Sequence, residues 1–457
     1  MEEVSQLEFN EISMEKTNLK SIVLGGGISG KAAFGLLTRL GESPILVDAK
    51  DPQGILDSEE EATKILLCEN IKTIVKSPGI SPSLPWLVLA RERGIPIQSE
   101  IDLARSKFFN KIIGITGTDG KSTTTALTHH LCLLDFPKAQ LGGNIGRAFS
   151  EFADKDIPVA VLELSSYQLE DSLPLDLDAS AILNLASDHL ERHGSMQKYA
   201  IAKRRIIQES NPQHIFVSKR ETIFNLELKL EDLKCQVKLF GDDPGADAII
   251  EAEQLRIRTK IANYSIQNFS LEGYHNLENL AASILLAESL GIQATNIQTQ
   301  IESFQGLAHR FEKFMRSFGW TFVNDSKSTN VHSLMAWLKN FNPSSSNLIL
   351  LMGGRSKSED MTSVVTTLMN IPCHIYIFGE ARVHWRKEFN ILRDKVSFVE
   401  GMEEALVSIK SIWTKTKQEN TWVVLSPACA SFDQFKNFEE RGKHFKDLSQ
   451  ILFSAVE

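Results

Sequence analysis

The run Gly114-Ile115-Thr116-Gly117-Thr118-Asp119-Gly120-Lys121-Ser122 follows an apolar segment and leads into a helix-forming one. Its glycines let backbone N–H groups approach phosphate oxygens, and the helix that follows presents its positive end. Lys121 can neutralise phosphate charge and Ser122 can ligate Mg2+. The strict phosphate-loop spacing is not met, because Ile115 stands where the first glycine belongs. Farther along, Glu163 closes an apolar stretch and can hold Mg2+ together with Ser122, since hard cations prefer oxygen ligands. Taken singly, Glu163 reads as a solvated edge charge, His189 as a structural histidine and Lys203 as one basic residue among several on a helix face. Nearer the N-terminus, Gly25-x-Gly27-x-x-Gly30 with Asp48 eighteen positions later has dinucleotide-binding spacing, and alone would suit an NAD or FAD enzyme.

These residues need elements to present them. Lys20 to Leu24 read as a short strand, Gly25 to Gly30 as a turn, Lys31 to Leu40 as a helix and Ser43 to Asp48 as the next strand, a βαβ beginning that predicts a parallel sheet. Lys111 to Thr116 start a second such unit, with a helix expected from Thr123, so two separate nucleotide-handling domains are implied. Leu277, Leu280, Ala281, Ile284 and Leu285 share one face of a helix over 277–290, which Gly291 caps and which would close a middle domain. A third α/β pattern has strands at Asn347 to Met352, Ile375 to Phe378 and Trp422 to Leu425, with loop chemistry at Asn342, Pro343 and the serines 344–346. The expected fold class is α/β in three domains. Residues 1–99 form a Rossmann-like N-terminal domain, 100–306 a central phosphate-loop domain with a parallel sheet, and 307–457 a C-terminal Rossmann-like α/β domain.

A chain of 457 residues exceeds what one core usually organises, which agrees with that division. Apolar residues at 42% and charged residues at 23% mark a globular protein. A net charge of -9 argues against a nucleic-acid partner. The five cysteines are scattered without a C-x-x-C pair and read as reduced thiols. Met1 to Asn10 do not resemble a secretory signal, and no apolar run approaches the roughly 18 residues of a membrane span. A cytoplasmic enzyme without membrane insertion is expected.

The variant loop G-x-x-G-T-x-G-K-S resembles that of the Mur ligase and folylpolyglutamate synthetase superfamily. Gly142-Gly143-Asn144-Ile145-Gly146 is similar to the family's substrate loop, and Leu162 to Glu170 to its second metal-binding strand. Asn184 to Arg192 is similar to N-x-x-x-D-H, and Lys203, fourteen residues beyond His189, matches the lysine that members carry as a carbamate. Gly273-Tyr274-His275-Asn276-Leu277-Glu278-Asn279 resembles G-x-H-N-x-x-N, Gly306 to Arg310 resembles G-x-x-H-R, and Asp325 to Asn330 resembles D-S-K-x-T-N. Leu425 to Gly442 is similar over eighteen consecutive positions to the signature of the D-glutamate-adding branch.

The resemblance implies an ATP-dependent amide-bond ligase. It would add D-glutamate to UDP-N-acetylmuramoyl-L-alanine through an acyl phosphate in peptidoglycan precursor synthesis, and so serve cell-wall biogenesis, cell shape and division. By that resemblance Gly117, Thr118, Asp119, Gly120, Lys121, Ser122, Thr123, Asn279, Arg310, Asp325 and Lys327 bind ATP. Ser122, Glu163, His189 and carbamylated Lys203 hold two Mg2+, and Lys121, Glu163, His189 and Lys203 carry the catalysis. Ile28, Ser29, Asp48, Lys50, Ser77, Gly79, Asn144 and His189 meet the nucleotide sugar, while Thr329, Lys357, Ser431 and Phe438 surround D-glutamate. A monomer is expected, closing on its ligands about a hinge near Gly306 to His309. The chain departs from the family pattern at Asp119, where many members have asparagine, at Ala308, where proline is common, and at Arg355 and Ser356 before Lys357. The rivals are a Mur ligase of other amino-acid specificity, an NAD-dependent oxidoreductase built on the first glycine loop, and a non-catalytic nucleotide-sugar sensor. The C-terminal signature speaks against the first, and the second phosphate loop with Lys203 against the second. The intact set Lys121, Glu163, His189 and Lys203 speaks against the third.

Overall fold

The computed structural model describes residues 19–48, 59–68, 70–208, 211–339, 341–356, 360–416 and 420–454. Two of the expected site residues, Lys50 and Lys357, and the leader 1–10 lie outside them. Contacts divide the chain into two compact units, 1–305 and 306–457.

The first unit carries two sheets. Strands β1 (Lys20–Leu24), β2 (Ile45–Val47), β3 (Ile71–Lys76) and β4 (Ile97–Ser99) form a parallel sheet in the order β2-β1-β3-β4. The second sheet comprises β5 (Lys111–Thr116), β6 (Gln140–Gly143), β7 (Val159–Glu163), β8 (Ala179–Ile182), β9 (Ile215–Ser218), β10 (Gln236–Gly241), β11 (Ala248–Glu251), β12 (Arg256–Thr259) and β13 (Asn263–Ser265). Their order is β13-β12-β11-β10-β9-β8-β5-β7-β6. The central strands β5, β7 and β8 read as nearly continuous apolar runs and are buried almost throughout, as parallel strands covered by helices on both faces must be. Toward the far edge the sheet becomes antiparallel across β11, β12 and β13. At that edge the Gln298 side chain, from helix Ala294–Ser303, accepts from the Ser265 N–H at 2.8 Å and donates to the Ser265 carbonyl at 3.2 Å.

Val23 and Val75 of the first sheet and Leu36 and Leu37 of the helix Ile28–Arg39 belong to one core with Phe108, Phe149, Phe152 and Leu162 of β7, so the two sheets share an apolar interior. Polar contacts reinforce that join. Lys76 pairs with Asp171 in a partly buried ion pair, Arg39 reaches Asp154 at 2.7 Å, and the Asp102 carboxylate accepts from the Leu173 N–H at 2.9 Å.

The second unit holds β14 (Glu312–Ser317), β15 (Trp320–Asn324), β16 (Asn347–Gly353), β17 (Cys373–Phe378), β18 (Val396–Phe398) and β19 (Thr421–Leu425), ordered β14-β15-β19-β16-β17-β18. Only β14 runs antiparallel. One core lies on each face of this sheet.

The observed elements depart from the sequence reading mostly at their ends. The helix after the first glycine loop starts at Ile28, three residues earlier than expected, and the helix after the phosphate loop starts at Lys121. The helix expected over 277–290 runs from Tyr274 to Ser289 and does not close the unit, because helix Ala294–Ser303 follows it and packs on Lys121–Cys132.

Glu100, directly after β4, is buried and accepts from the Ser150 N–H at 2.6 Å. Burial pushes its carboxyl up to about 7 from 4.5, against the stabilising Ser150 hydrogen bonds and with the help of nearby Glu151 and Asp102. Between those two values the folded chain keeps a proton that the unfolded chain has lost, so Glu100 makes folding stability fall as pH rises through that interval. Glu100→Gln keeps the acceptor and removes the titration. Its stability relative to the unaltered chain is expected to rise between about pH 5 and pH 8 by up to roughly 3 kcal/mol, at about 1.4 kcal/mol per pKa unit. Urea unfolding at several pH values measures this, and a pH-independent difference between the two proteins would contradict it.

Candidate active site

The phosphate loop leaves the C-terminal end of β5, whose neighbours in the sheet are β7 and β8. Such an end is where parallel α/β sheets place ligands. Gly120 takes a left-handed φ of 79°, and a Cβ there would strike the Asn279 amide oxygen. The turn therefore needs glycine twice over, once for its backbone and once for the approach of the helix Tyr274–Ser289. Asn279 is itself buried, accepts from the Thr124 hydroxyl at 3.1 Å and donates to Asn276 at 3.2 Å.

The loop after β8 secures the phosphate loop from the other side. The Asn184 amide oxygen accepts from the backbone N–H of Thr118 at 3.0 Å and of Asp119 at 2.8 Å, and its amide nitrogen donates to the Asp119 carbonyl at 3.1 Å. Thr118 adds a reciprocal pair with Ala186, donating at 3.2 Å and accepting at 3.0 Å. Lys121 folds back so that its ammonium donates to the carbonyls of Gly117 at 2.9 Å and Thr118 at 2.6 Å. Ser122 and Thr123 open the helix and are buried.

Glu163, the last residue of β7, is 3% exposed. One carboxylate oxygen accepts from the Asn144 side chain at 2.7 Å, while the other is buried without a hydrogen-bond partner. An orphaned buried carboxylate oxygen costs several kcal/mol unless a cation or water meets it, which is what a hard metal ion would supply.

Lys203, on the helix Met196–Arg204, is 1% exposed. Its amine donates to the Gly117 carbonyl at 2.7 Å and the Thr116 hydroxyl at 3.3 Å, and lies 4.6 Å from the Tyr199 ring centre. Burial, joined by the positive charge of Lys121, holds the amine well below its usual value, with Asp188, Glu163 and Asp119 opposing. An amine so placed is readily neutral, the form that can add CO2 and become an oxygen-donating carbamate.

His189 has a left-handed φ of 53° and is half exposed, with its Nε2 3.5 Å from the Asp188 carboxylate and its ring 5.2 Å from that of Tyr167. For a side chain other than glycine this conformation costs about 1 kcal/mol, a strain found preferentially at functional sites. Among the described residues no three His, Cys, Asp or Glu side chains cluster as a metal site. The set implied by the sequence draws instead on a hydroxyl and a modified lysine.

At the end of β1 the Asp48 carboxylate accepts from the Gly26 N–H, and a Cβ on Gly30 would run into the Gly25 carbonyl, so the strand and helix meet as closely as the glycine spacing suggested. The Ser77 hydroxyl donates to the same Gly25 carbonyl at 3.2 Å. Ile28 is exposed at the first turn of the helix, Ser29 is half-buried beside it, and Gly79 is exposed on the loop after β3.

In the second unit, Asp325 follows β15 and is buried, accepting from Phe311 N–H at 3.1 Å and the Ser426 hydroxyl at 2.8 Å. Burial raises its carboxyl to about 7. Lys327 lies 5.7 Å from the Phe438 ring centre, Arg310 is exposed, and Thr329 is half-buried in the loop after β15. Ser431 is buried in the loop after β19, and Phe438 opens the last long helix. Two residues with no role in the sequence reading emerge from this geometry, Asn184 and Arg441. Each lay inside a motif, but its task depends on partners distant in the chain.

The Mur ligase middle domain family matches residues 115–287, the span that contains the phosphate loop, Glu163, His189 and Lys203. A UDP-N-acetylmuramoylalanine–D-glutamate ligase of Leptospira interrogans is 43% identical over 96% of this chain and 98% of its own length. The enzyme of the same name from Leptospira borgpetersenii is 44% identical over 94% and 96%, and that of Bacteroides fragilis 33% over 93% and 98%. Among solved structures, the UDP-N-acetylmuramate–alanine ligase MurC of Thermotoga maritima superposes with a TM-score of 0.56 over 95% of this chain and 99% of that one, at 18% identity. The MurF ligase of the same organism, solved in complex with ADP, gives 0.53 over 84% and 91%, also at 18%. The structures share the fold, and the sequence relatives run through both compact units from the first glycine loop to the C-terminal signature. The chain therefore belongs to the family of UDP-N-acetylmuramoylalanine–D-glutamate ligases.

Proposed function

We propose that this protein joins the amino group of D-glutamate to the free carboxylate of UDP-N-acetylmuramoyl-L-alanine, with ATP converting that carboxylate to an acyl phosphate before the amine attacks and phosphate leaves. The observation that carries the reading is the 43% identity to a ligase of that name along nearly the whole of both chains. The reaction is an ATP-dependent step of peptidoglycan precursor synthesis.

The geometry supports a division of labour. Lys121 and the amides that open its helix bind phosphate oxygens, and Asn279 holds the loop from behind. Ser122, Glu163, His189 and a carbamylated Lys203 would hold two Mg2+. The fit is supported by the orphaned Glu163 oxygen and the buried Lys203 amine. Bound there, Mg2+ would offset charge on the transferring phosphoryl group. Asn144 orients Glu163 through its 2.7 Å hydrogen bond and is itself exposed where the family's substrate loop runs. The cradle of Gly26, Ile28, Ser29, Asp48, Ser77 and Gly79, with Lys50, takes the uridine diphosphate half. Arg310, Asp325 and Lys327 serve ATP, and Thr329, Lys357, Ser431 and Phe438 serve D-glutamate, whose two carboxylates suit a lysine and hydroxyl donors. Residues 1–99, 100–306 and 307–457 would then be the nucleotide-sugar, ATP and amino-acid domains. No helix among the described residues is long and apolar enough to cross a membrane.

Phosphate release is expected only when the nucleotide sugar, ATP, Mg2+ and D-glutamate are all present, with L-glutamate inactive. Equal turnover of L-alanine or a diamino acid would move the chain to another specificity. Lys203→Ala is expected to lose most activity, at least about a hundredfold as for loss of a metal-site group, and to regain part of it when short carboxylic acids are added. Undiminished turnover by the unrescued variant would return Lys203 to the status of a structural lysine.

A further inference from the structure

Arg441 is 0% exposed, an unusual state for a guanidinium, and it is used by no step described above. Its Nε donates to the Ser326 hydroxyl at 3.0 Å, and its Nη2 to the carbonyls of Ser326 at 2.9 Å and Cys429 at 3.0 Å. Nη1 reaches the Gly353 carbonyl at 3.4 Å. These acceptors belong to two loops and the end of a third strand. Ser326 follows β15, Cys429 follows β19, and Gly353 ends β16. The three strands are adjacent and mutually parallel, in the order β15-β19-β16, so one planar side chain spans the C-terminal ends of three neighbouring strands. The loops after β15 and β19 carry Lys327 and Thr329, and Ser431.

We infer that Arg441 is a positioning residue for the amino-acid subsite: its guanidinium fixes the spacing of the loops that carry Thr329 and Ser431 against each other and against the end of β16. The inference rests on the function proposed above. A cation buried among carbonyls and one hydroxyl is costly, and its value lies in a rigid fork that two loops and a strand end share. Lysine would keep the charge but has no fixed fork, and could not satisfy acceptors that diverge in three directions. Desolvation lowers the Arg441 pKa to about 10, which still leaves the group charged at neutral pH.

The test compares the full chain with Arg441→Lys in two measurements. Hydrogen exchange should show faster exchange in the loops around 325–330 and 427–435, with β15, β16 and β19 still protected. Steady-state phosphate release should show KM for D-glutamate raised about tenfold or more, the cost of one lost charge-assisted hydrogen bond, while KM for the nucleotide sugar stays within about twofold. If Arg441→Lys does not fold, Ser326→Ala removes the hydroxyl that accepts from Nε, together with that hydroxyl's own 2.8 Å bond to the Phe438 carbonyl, and should both raise KM for D-glutamate about threefold and speed exchange around 427–435. Native-like loop exchange together with an unchanged KM for D-glutamate would overturn the inference. So would a uniform fall in kcat with both KM values unchanged, which is what a purely structural arginine produces. Should the unaltered chain fail to turn over D-glutamate, the function reading falls, and the exchange measurement still decides whether Arg441 holds the loops.

Discussion

The Asn184 side chain holds the backbone of the phosphate loop by three hydrogen bonds, accepting from Thr118 and Asp119 and returning one to Asp119. A glycine-rich loop left to itself would sample many conformations, and fixing each residue costs about 1–2 kcal/mol in backbone entropy. Asn184 meets part of that cost before any ligand arrives. The amides of Thr118 and Asp119 are thereby both engaged within the protein. Lys121 and Lys203 both donate to the Gly117 carbonyl, so the residue where β5 turns into the loop is held as well. Glu163 ends β7 and Asn184 follows β8, and both flank this turn because β5 lies between those two strands.

The two units use a common device. In each, a buried basic side chain donates to backbone carbonyls at the C-terminal ends of parallel strands, Lys203 in the first and Arg441 in the second. Cations of this kind are poor contributors to net stability, since desolvation offsets most of what their hydrogen bonds return. Burial holds the amine well below its usual value, which suits the carbamate role proposed for it. The guanidinium keeps its charge and serves geometry. The choice between lysine and arginine follows from that difference.

Much of this was readable from residue order. The strand Lys20–Leu24 and the strand Lys111–Thr116 come out as expected, because an apolar run ending in glycines has few alternatives. The antiparallel flap β11 to β13 was not foreseen. Its strands are three or four residues long, and segments such as Arg256–Thr259 carry too little alternation to stand out from loop. The helix starts at Ile28 and Lys121 were placed two or three residues late, since glycine and serine near a helix start mark the region without fixing the first turn. Asn184 and Arg441 were inside motifs, yet nothing local reveals their partners. An asparagine that grips a loop 65 positions away, or an arginine reaching 115 positions back, is defined by tertiary proximity alone.

The Gln298 amide at the rim of the nine-stranded sheet has a meaning for the molecule in a crowded solution. An edge strand normally offers unsatisfied N–H and C=O groups to any passing extended chain, the opening move of aggregation. At Ser265 both groups already engage a side-chain amide that presents the same donor and acceptor a neighbouring strand would. The glutamine impersonates a tenth strand one residue long, and a strand that short cannot itself be extended. At Ser265 the edge is thereby closed by imitation, with no proline or added charge needed at that position.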